Sequence, residues 1–277
     1  MTRANAAPHL SLYPSHAEHR RVAVQGVALE VLHLPGTEPD LAPLVFLHEG
    51  LGSVALWPQR GRCWPAELSA ATGRSAWVYA RQGYGLSDPI ADVRGNGRHP
   101  PDYMHREARH TLPALLQALQ LERPVLVGHS DGATIALIHA SEHPVTACVA
   151  LAPHVAVEPV AIQAIAAARD AYLQGGLRER LARHHADVDN AFWQWNDVWL
   201  SEPFQAFDIR PLCAGIRAPL LLVQGTEDEY GSLAQLDWIQ QAVPHAQRLE
   251  LPGGHSPHRD HPDALTAAVA GFLHGLA

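Results

Sequence analysis

Five stretches of almost continuous apolar residues recur along the chain: PLVFLHE (43–49), SAWVYA (75–80), PVLVGH (124–129), VTACVALA (145–152) and APLLLVQG (218–225). Runs of this kind lack the polar alternation of a half-exposed strand and predict strands covered on both faces. RLELP (248–252) predicts one more strand, and VAVQ (22–25) with ALEVLHL (28–34) predicts a hairpin about Gly26. Stretches of helical character lie between them, at 57–71, 102–121 with Asp102 placed to cap, 131–142, 231–243 and 262–276. Strands alternating with helices require right-handed crossovers, hence an α/β fold with a mostly parallel sheet between helical layers. Residues 1–19 read as a loose polar arm, and 82–101, rich in Gly and Pro, as loop.

One block breaks the alternation. Residues 154–216 contain only helical patterns: VEPVAIQAIAAARDAYLQ stops at Gly175-Gly176, LRERLARHH follows, and a helix capped near Asp187 carries FWQWNDVWL. The organisation predicted is a flexible arm (1–19), a core (20–153 and 217–277) and a small all-helical cap (154–216) over one end of the sheet. On the cap helix Phe192, Trp195 and Trp199 share one face. They form either the core of the cap or, with Trp195 and Trp199, the aromatic wall of a substrate pocket.

Within VLVGHSDGA (125–133) a strand runs into a helix through Gly-His-Ser-Asp-Gly. This is the G-x-S-x-G elbow, a sharp corner that lifts a serine above the carboxyl edge of a sheet. A serine hydroxyl needs a base to take its proton and donors aimed at the oxyanion it creates. Ser130 is therefore the candidate nucleophile. The motif requires an acid and then a histidine further along the chain. QGTEDEYGS (224–232) follows a buried strand and offers Glu227, Asp228 and Glu229, of which one should face inward. LPGGHSPHRDHP follows the last strand and puts His255 on a Gly-Gly turn; His258 and His261 read as loop and helix-start surface. His129 ends its strand and supports the corner. The backbone N–H groups of Asp131 and Gly50, the latter in LHEGLGS (47–53), are the candidate oxyanion donors, with the Asp131 side chain incidental.

Charge and composition narrow the partners. A formal net charge of −8 over 277 residues, with Arg and Lys scattered, argues against nucleic acid or an anionic membrane. No stretch approaches the ~18 apolar residues of a membrane span, and the first residues lack the apolar run of a signal peptide. Three distant cysteines (Cys63, Cys148, Cys213) form no disulfide framework or metal knuckle, so a reducing, cytoplasmic setting is expected. The 19 histidines, such as His9, His16, His19, His99, His105 and His110, lie mostly singly in polar stretches and read as solvated surface. RHHADVD (183–189) is the densest group, but it lacks the i, i+4 pair of a helical zinc site, so no metal is expected.

HEGLGS, RQGYGLSD (81–88), GHSDG, GTEDE and GGHSPH together make the chain resemble the α/β hydrolases over roughly residues 22–276. The resemblance is to the compact, helical-cap group that includes small carboxylesterases and proline-iminopeptidase-like enzymes. It implies the α/β-hydrolase fold, selects Asp228 through the usual G-x-x-D spacing from Gly225, and implies a serine hydrolase using Ser130, His255 and Asp228 without cofactor. A carboxylesterase acting on a small to medium ester is the leading expectation. Lactone, thioester or C–C hydrolysis, or a non-catalytic ligand receptor, are the alternatives. Ser130 excludes the aspartate-nucleophile branches, and Ser256 stands where the C–C hydrolases usually carry Trp. Glu49 stands where the family usually has glycine, either paired with Arg81 or facing the substrate.

Overall fold

The apolar runs become strands because both of their faces are covered. The computed structural model describes residues 12–276; residues 1–11 of the expected arm and Ala277 lie outside them. The strands are β1 (Glu18–Val24), β2 (Val27–Leu34), β3 (Leu44–Leu47), a two-residue hairpin β4 (Pro58–Gln59) and β5 (Arg62–Cys63), and β6 (Ala76–Tyr79). Then come β7 (Val125–His129), β8 (Ala147–Leu151), β9 (Leu220–Gly225) and β10 (Gln247–Leu251). Eight of them form one sheet in the order β1-β2-β6-β3-β7-β8-β9-β10. The β1–β2 and β2–β6 pairs are antiparallel and the other pairs parallel. In β3, Leu44 and Phe46 enter one core while Val45 and Leu47 enter the other, and β9 splits its leucines the same way.

The helices are α1 (Trp64–Thr72), α2 (Tyr103–Arg106), α3 (Leu112–Ala118), α4 (Asp131–Glu142), α5 (Pro159–Gln174) and α6 (Leu177–Leu181). They continue as α7 (Val188–Trp199), α8 (Arg210–Cys213), α9 (Ala234–Ala242), α10 (Pro257–Asp260) and α11 (Pro262–Leu273). Trp64 and Leu68 of α1 pack with Leu265 and Val269 of α11 on one face of the sheet. Residues of α3, α4 and α9 fill the other face, continuous with Ile165, Phe192 and Trp199 of α5 and α7. Helices α5 to α8 all lie between β8 and β9 in the chain; α5, α6 and α7 pack on one another, while α8 packs against α4 and α9.

Four local expectations are corrected. The helix predicted over 102–121 is broken by a π-helical turn at Glu107–Thr111. Pro113, in the first turn of α3, has no N–H for the carbonyl four residues back, and the ladder widens just before it. Asp102 caps nothing with its side chain but pairs with Arg106 at 3.0 Å. The helix predicted from 57 begins at Trp64, because Trp57 instead packs under the sheet against Phe46 and Trp64. The described part of the polar arm is anchored, since buried Tyr13 donates its hydroxyl to the carbonyl of Val54 at 2.9 Å and β1 starts at Glu18. All three cysteines are free and buried, and burial pushes each thiol up to about 12. Among the described residues no helix is long and apolar enough to cross a membrane.

Candidate active site

Ser130 occupies the single residue between β7 and α4, with φ 54° and ψ −119°. Positive φ costs a non-glycine residue about 1–3 kcal/mol and persists only where surroundings enforce it. Here the Ser130 N–H donates to Leu151 of β8 at 2.8 Å, and its carbonyl accepts from Thr134 of α4 at 3.0 Å. A Cβ on Gly132 would come within 2.1 Å of the Leu47 carbonyl, so the glycine lets α4 start hard against β3. The amides of Asp131 and Gly132 open α4, where first-turn N–H groups have no intrahelical partner and the helix dipole favours an anion.

Asp228 and His255 follow β9 and β10. Nδ1 of His255 lies 2.9 Å from both carboxylate oxygens of Asp228. The same carboxylate accepts from the backbone of Tyr230 (2.8 Å) and Gly231 (3.3 Å) and from Gln224 (3.2 Å). Burial raises the Asp228 carboxyl, but His255 and the Tyr230 amide outweigh it and hold the group below its ordinary value. Glu229 is exposed yet also engaged, its carboxylate accepting the His255 backbone N–H at 3.1 Å. Glu227 is exposed.

Ser130, His255, Gly50, Asp131, Glu49, Trp195 and Trp199 all line one cavity of about 240 Å³. A larger cavity of about 380 Å³ lies beyond Tyr103, lined by Arg81, His99, Glu107 and Gln194. Neither Ser130 nor His255 reaches it, so the smaller cavity is the candidate site.

Several neighbours differ from expectation. The Glu49 carboxylate does not pair with Arg81, whose guanidinium donates to the backbone carbonyls of His48 (2.6 Å) and Glu49 (3.0 Å). Its partner is His129 at 3.3 Å. The Asp131 side chain is far from incidental: it accepts from Tyr103 (2.5 Å) and from the Trp199 indole (3.3 Å), with Arg81 at 4.0 Å. Trp199 is thus hydrogen-bonded wall as well as packing. Trp195 sits over the loop after β3, where a Cβ on Gly50 would meet its Nε1 at 2.1 Å. Six of the 18 described histidines are interior, while His16, His19 and His110 are exposed as expected. His48, His129, His139, His154, His185 and His258 are buried, and His258 lies between Trp57, Trp64 and His129. In the 183–189 group His185 accepts from Gly85, Asp187 caps α7, and Asp189 pairs with Arg178. Sequence reasoning missed His154, Tyr230 and Arg259 in the cavity wall. His154 follows a buried strand at the edge where ligands bind, and that topological signal was available.

The model of the alpha/beta hydrolase family matches residues 44–269. The chain is an α/β hydrolase. Solved structures share its fold at low identity. An enol-lactonase from Burkholderia xenovorans LB400 is 22% identical, with TM-score 0.70, over 92% of this chain and 99% of that one. A carboxylesterase from Bacillus subtilis is 21% identical, with TM-score 0.71, over 96% and 95%. A proline iminopeptidase from Mycobacterium smegmatis is 20% identical, with TM-score 0.64, over 93% and 98%. This α/β hydrolase therefore has hydrolases of several bond types as structural neighbours.

Proposed function

We propose that this α/β hydrolase is a serine carboxylesterase that cleaves a small to medium ester through an acyl-enzyme. Ser130 attacks the carbonyl, His255 takes its proton, and Asp228 fixes the tautomer of His255 and stabilises the imidazolium. The N–H groups of Asp131 and Gly50 receive the oxyanion. Proton return from His255 expels the alcohol, and water activated by the same ring releases the acid. The observation that carries this reading is the strained corner at Ser130, which opens on a cavity shared with a histidine whose Nδ1 is held by a buried carboxylate. A cavity of about 240 Å³ suits a small acyl or aryl group. The same machinery would open a cyclic ester, and the enol-lactonase neighbour makes lactones the second class to assay.

A fluorophosphonate probe followed by peptide mapping tests the proposal. One adduct on Ser130 is the expected outcome, with both labelling and ester hydrolysis lost in Ser130→Ala. Undiminished hydrolysis by that variant would overturn the reading.

A further inference from the structure

The contacts of His129 allow its protons to be counted. The residue is 1% exposed, so protein groups must satisfy its ring. Its Nε2 lies 2.7 Å from the backbone carbonyl of His255. A carbonyl only accepts, so Nε2 carries a proton. Its Nδ1 lies 3.3 Å from Oε2 of Glu49, and an ionised carboxylate also only accepts. Neutral imidazole has one N–H. Both contacts are hydrogen bonds only if the ring is imidazolium or Glu49 is protonated. Burial alone would raise the Glu49 carboxyl, but His129 beside it and His258 beyond outweigh that and hold it well below the usual range.

The other groups around His129 are neutral or have partners of their own. His258, with ring centroids 4.8 Å apart, is kept neutral first of all by burial. His154 is held down to about 3 by burial and by the neighbouring His255. The His255 ring, 5.1 Å away, has Asp228 as its own carboxylate. Arg259 is engaged with Gln59 and Ser256.

We propose that Glu49 and His129 form an ion pair that clamps the base loop to the oxyanion loop. As imidazolium, His129 donates Nδ1–H to Glu49, next to Gly50, and Nε2–H to the carbonyl of His255. Because His129 also immediately precedes Ser130, three loops carrying the proposed chemistry are fixed to one ring. The functional half of this inference rests on the esterase reading; the protonation half does not. Glu49 and His129 are positioning residues, acting through Gly50 and His255. They account for a carboxylate at a position where the family resemblance leads one to expect glycine.

Glu49→Gln is the informative substitution. Its amide can turn an N–H toward Nδ1, so a neutral ring protonated at Nε2 keeps both contacts while the charges vanish. Ring ¹⁵N–¹H NMR would be recorded about 1.5 units above the ordinary imidazole value of about 6.5. The wild type should show one ring protonated on both nitrogens, assigned by its absence from His129→Gln and lost in Glu49→Gln. With an ester substrate, Glu49→Ala, which removes the contact as well as the charge, should lose on the order of tenfold in kcat with KM within about twofold. No doubly protonated ring in the wild type, or one that persists in Glu49→Gln, overturns the ion pair. An unchanged kcat in Glu49→Ala overturns the clamp. Absence of any ester turnover strikes at the esterase reading instead, while the ring spectrum still decides the pair.

Discussion

Three adjacent acids after β9 meet three different surroundings. Asp228 has a side chain 1% exposed and holds the His255 ring, Glu229 holds only its backbone, and Glu227 is exposed. Removing the charge from the equivalent acid of the serine-protease template costs about 10⁴ in kcat, roughly 5.5 kcal/mol of barrier. Asp228→Asn should therefore lose several powers of ten in kcat while melting as a folded protein. Glu229→Gln keeps an acceptor for the His255 amide and should stay within about tenfold, and Glu227→Gln should be close to wild type. Steady-state kinetics on the three variants side by side check the order. A collapse confined to Glu229→Gln would move the assignment. At this scale the elbow at Ser130 and the order acid then histidine are legible in the sequence, the family resemblance chooses Asp228 among the three acids, and the structure has Asp228 rather than its neighbours against the His255 ring. The Glu49–His129 contact is not, since it joins residues 80 apart that only sheet order brings together.

At the scale of elements, α7 is where two accounts of an aromatic stripe can be separated. Phe192 stacks on Tyr172 of α5 at 3.7 Å, which is packing between α5 and α7. Trp195 and Trp199 instead reach the cavity, and Trp199 bonds Tyr103 and Asp131. The stripe thus serves both purposes, divided along its length. Trp195→Ala should widen the cavity beside Gly50 and shift the chain-length profile of kcat/KM toward bulkier acyl groups. Phe192→Ala should lower stability by about 3–5 kcal/mol with little change of profile. A panel of graded esters together with thermal melts distinguishes them. An unchanged profile in Trp195→Ala would make that ring packing alone. The 3.6-residue period marks α7 in the sequence, but it cannot say which ring faces a cavity. The broken helix after Tyr103 was readable from Pro113, whose missing N–H outweighs the otherwise helical pattern.

For the whole molecule, the interior histidines set the response to acid. Burial lowers His139 and His185 to about 4 and His154 to about 3, and puts His48 and His258 well below 6.5. Each therefore binds fewer protons when folded than when unfolded. Stability is complete above the unfolded value of about 6.5 and falls as pH drops below it, by up to about 1.4 kcal/mol per pH unit for each ring. Several such rings acting in the same direction are large against a typical stability of about 5–15 kcal/mol. Thermal melts should be nearly flat above neutrality and should collapse between about pH 6.5 and 4.5. A flat profile through that window would mean the rings are not buried and neutral. The solvated reading holds for His16, His19 and His110, which are exposed, whereas His48, His139 and His154 stand within or beside apolar runs and go into the interior with them.

Three buried thiols, each raised by burial, should leave the native protein silent toward maleimides, and each lies in a different region. Cys148 lies in the interior strand β8, Cys63 at the start of α1 beneath the other face, and Cys213 in α8 where the helical block returns to the sheet. A reagent that modifies them can do so only during a transient opening, so each labelling rate measures the free energy of opening around one cysteine. Cys213 and Cys63 should be alkylated before Cys148, whose exposure requires the sheet itself to come apart. Mass spectrometry of a timed alkylation would read that order directly, and identical rates at all three sites would mean that the molecule opens only as a single unit.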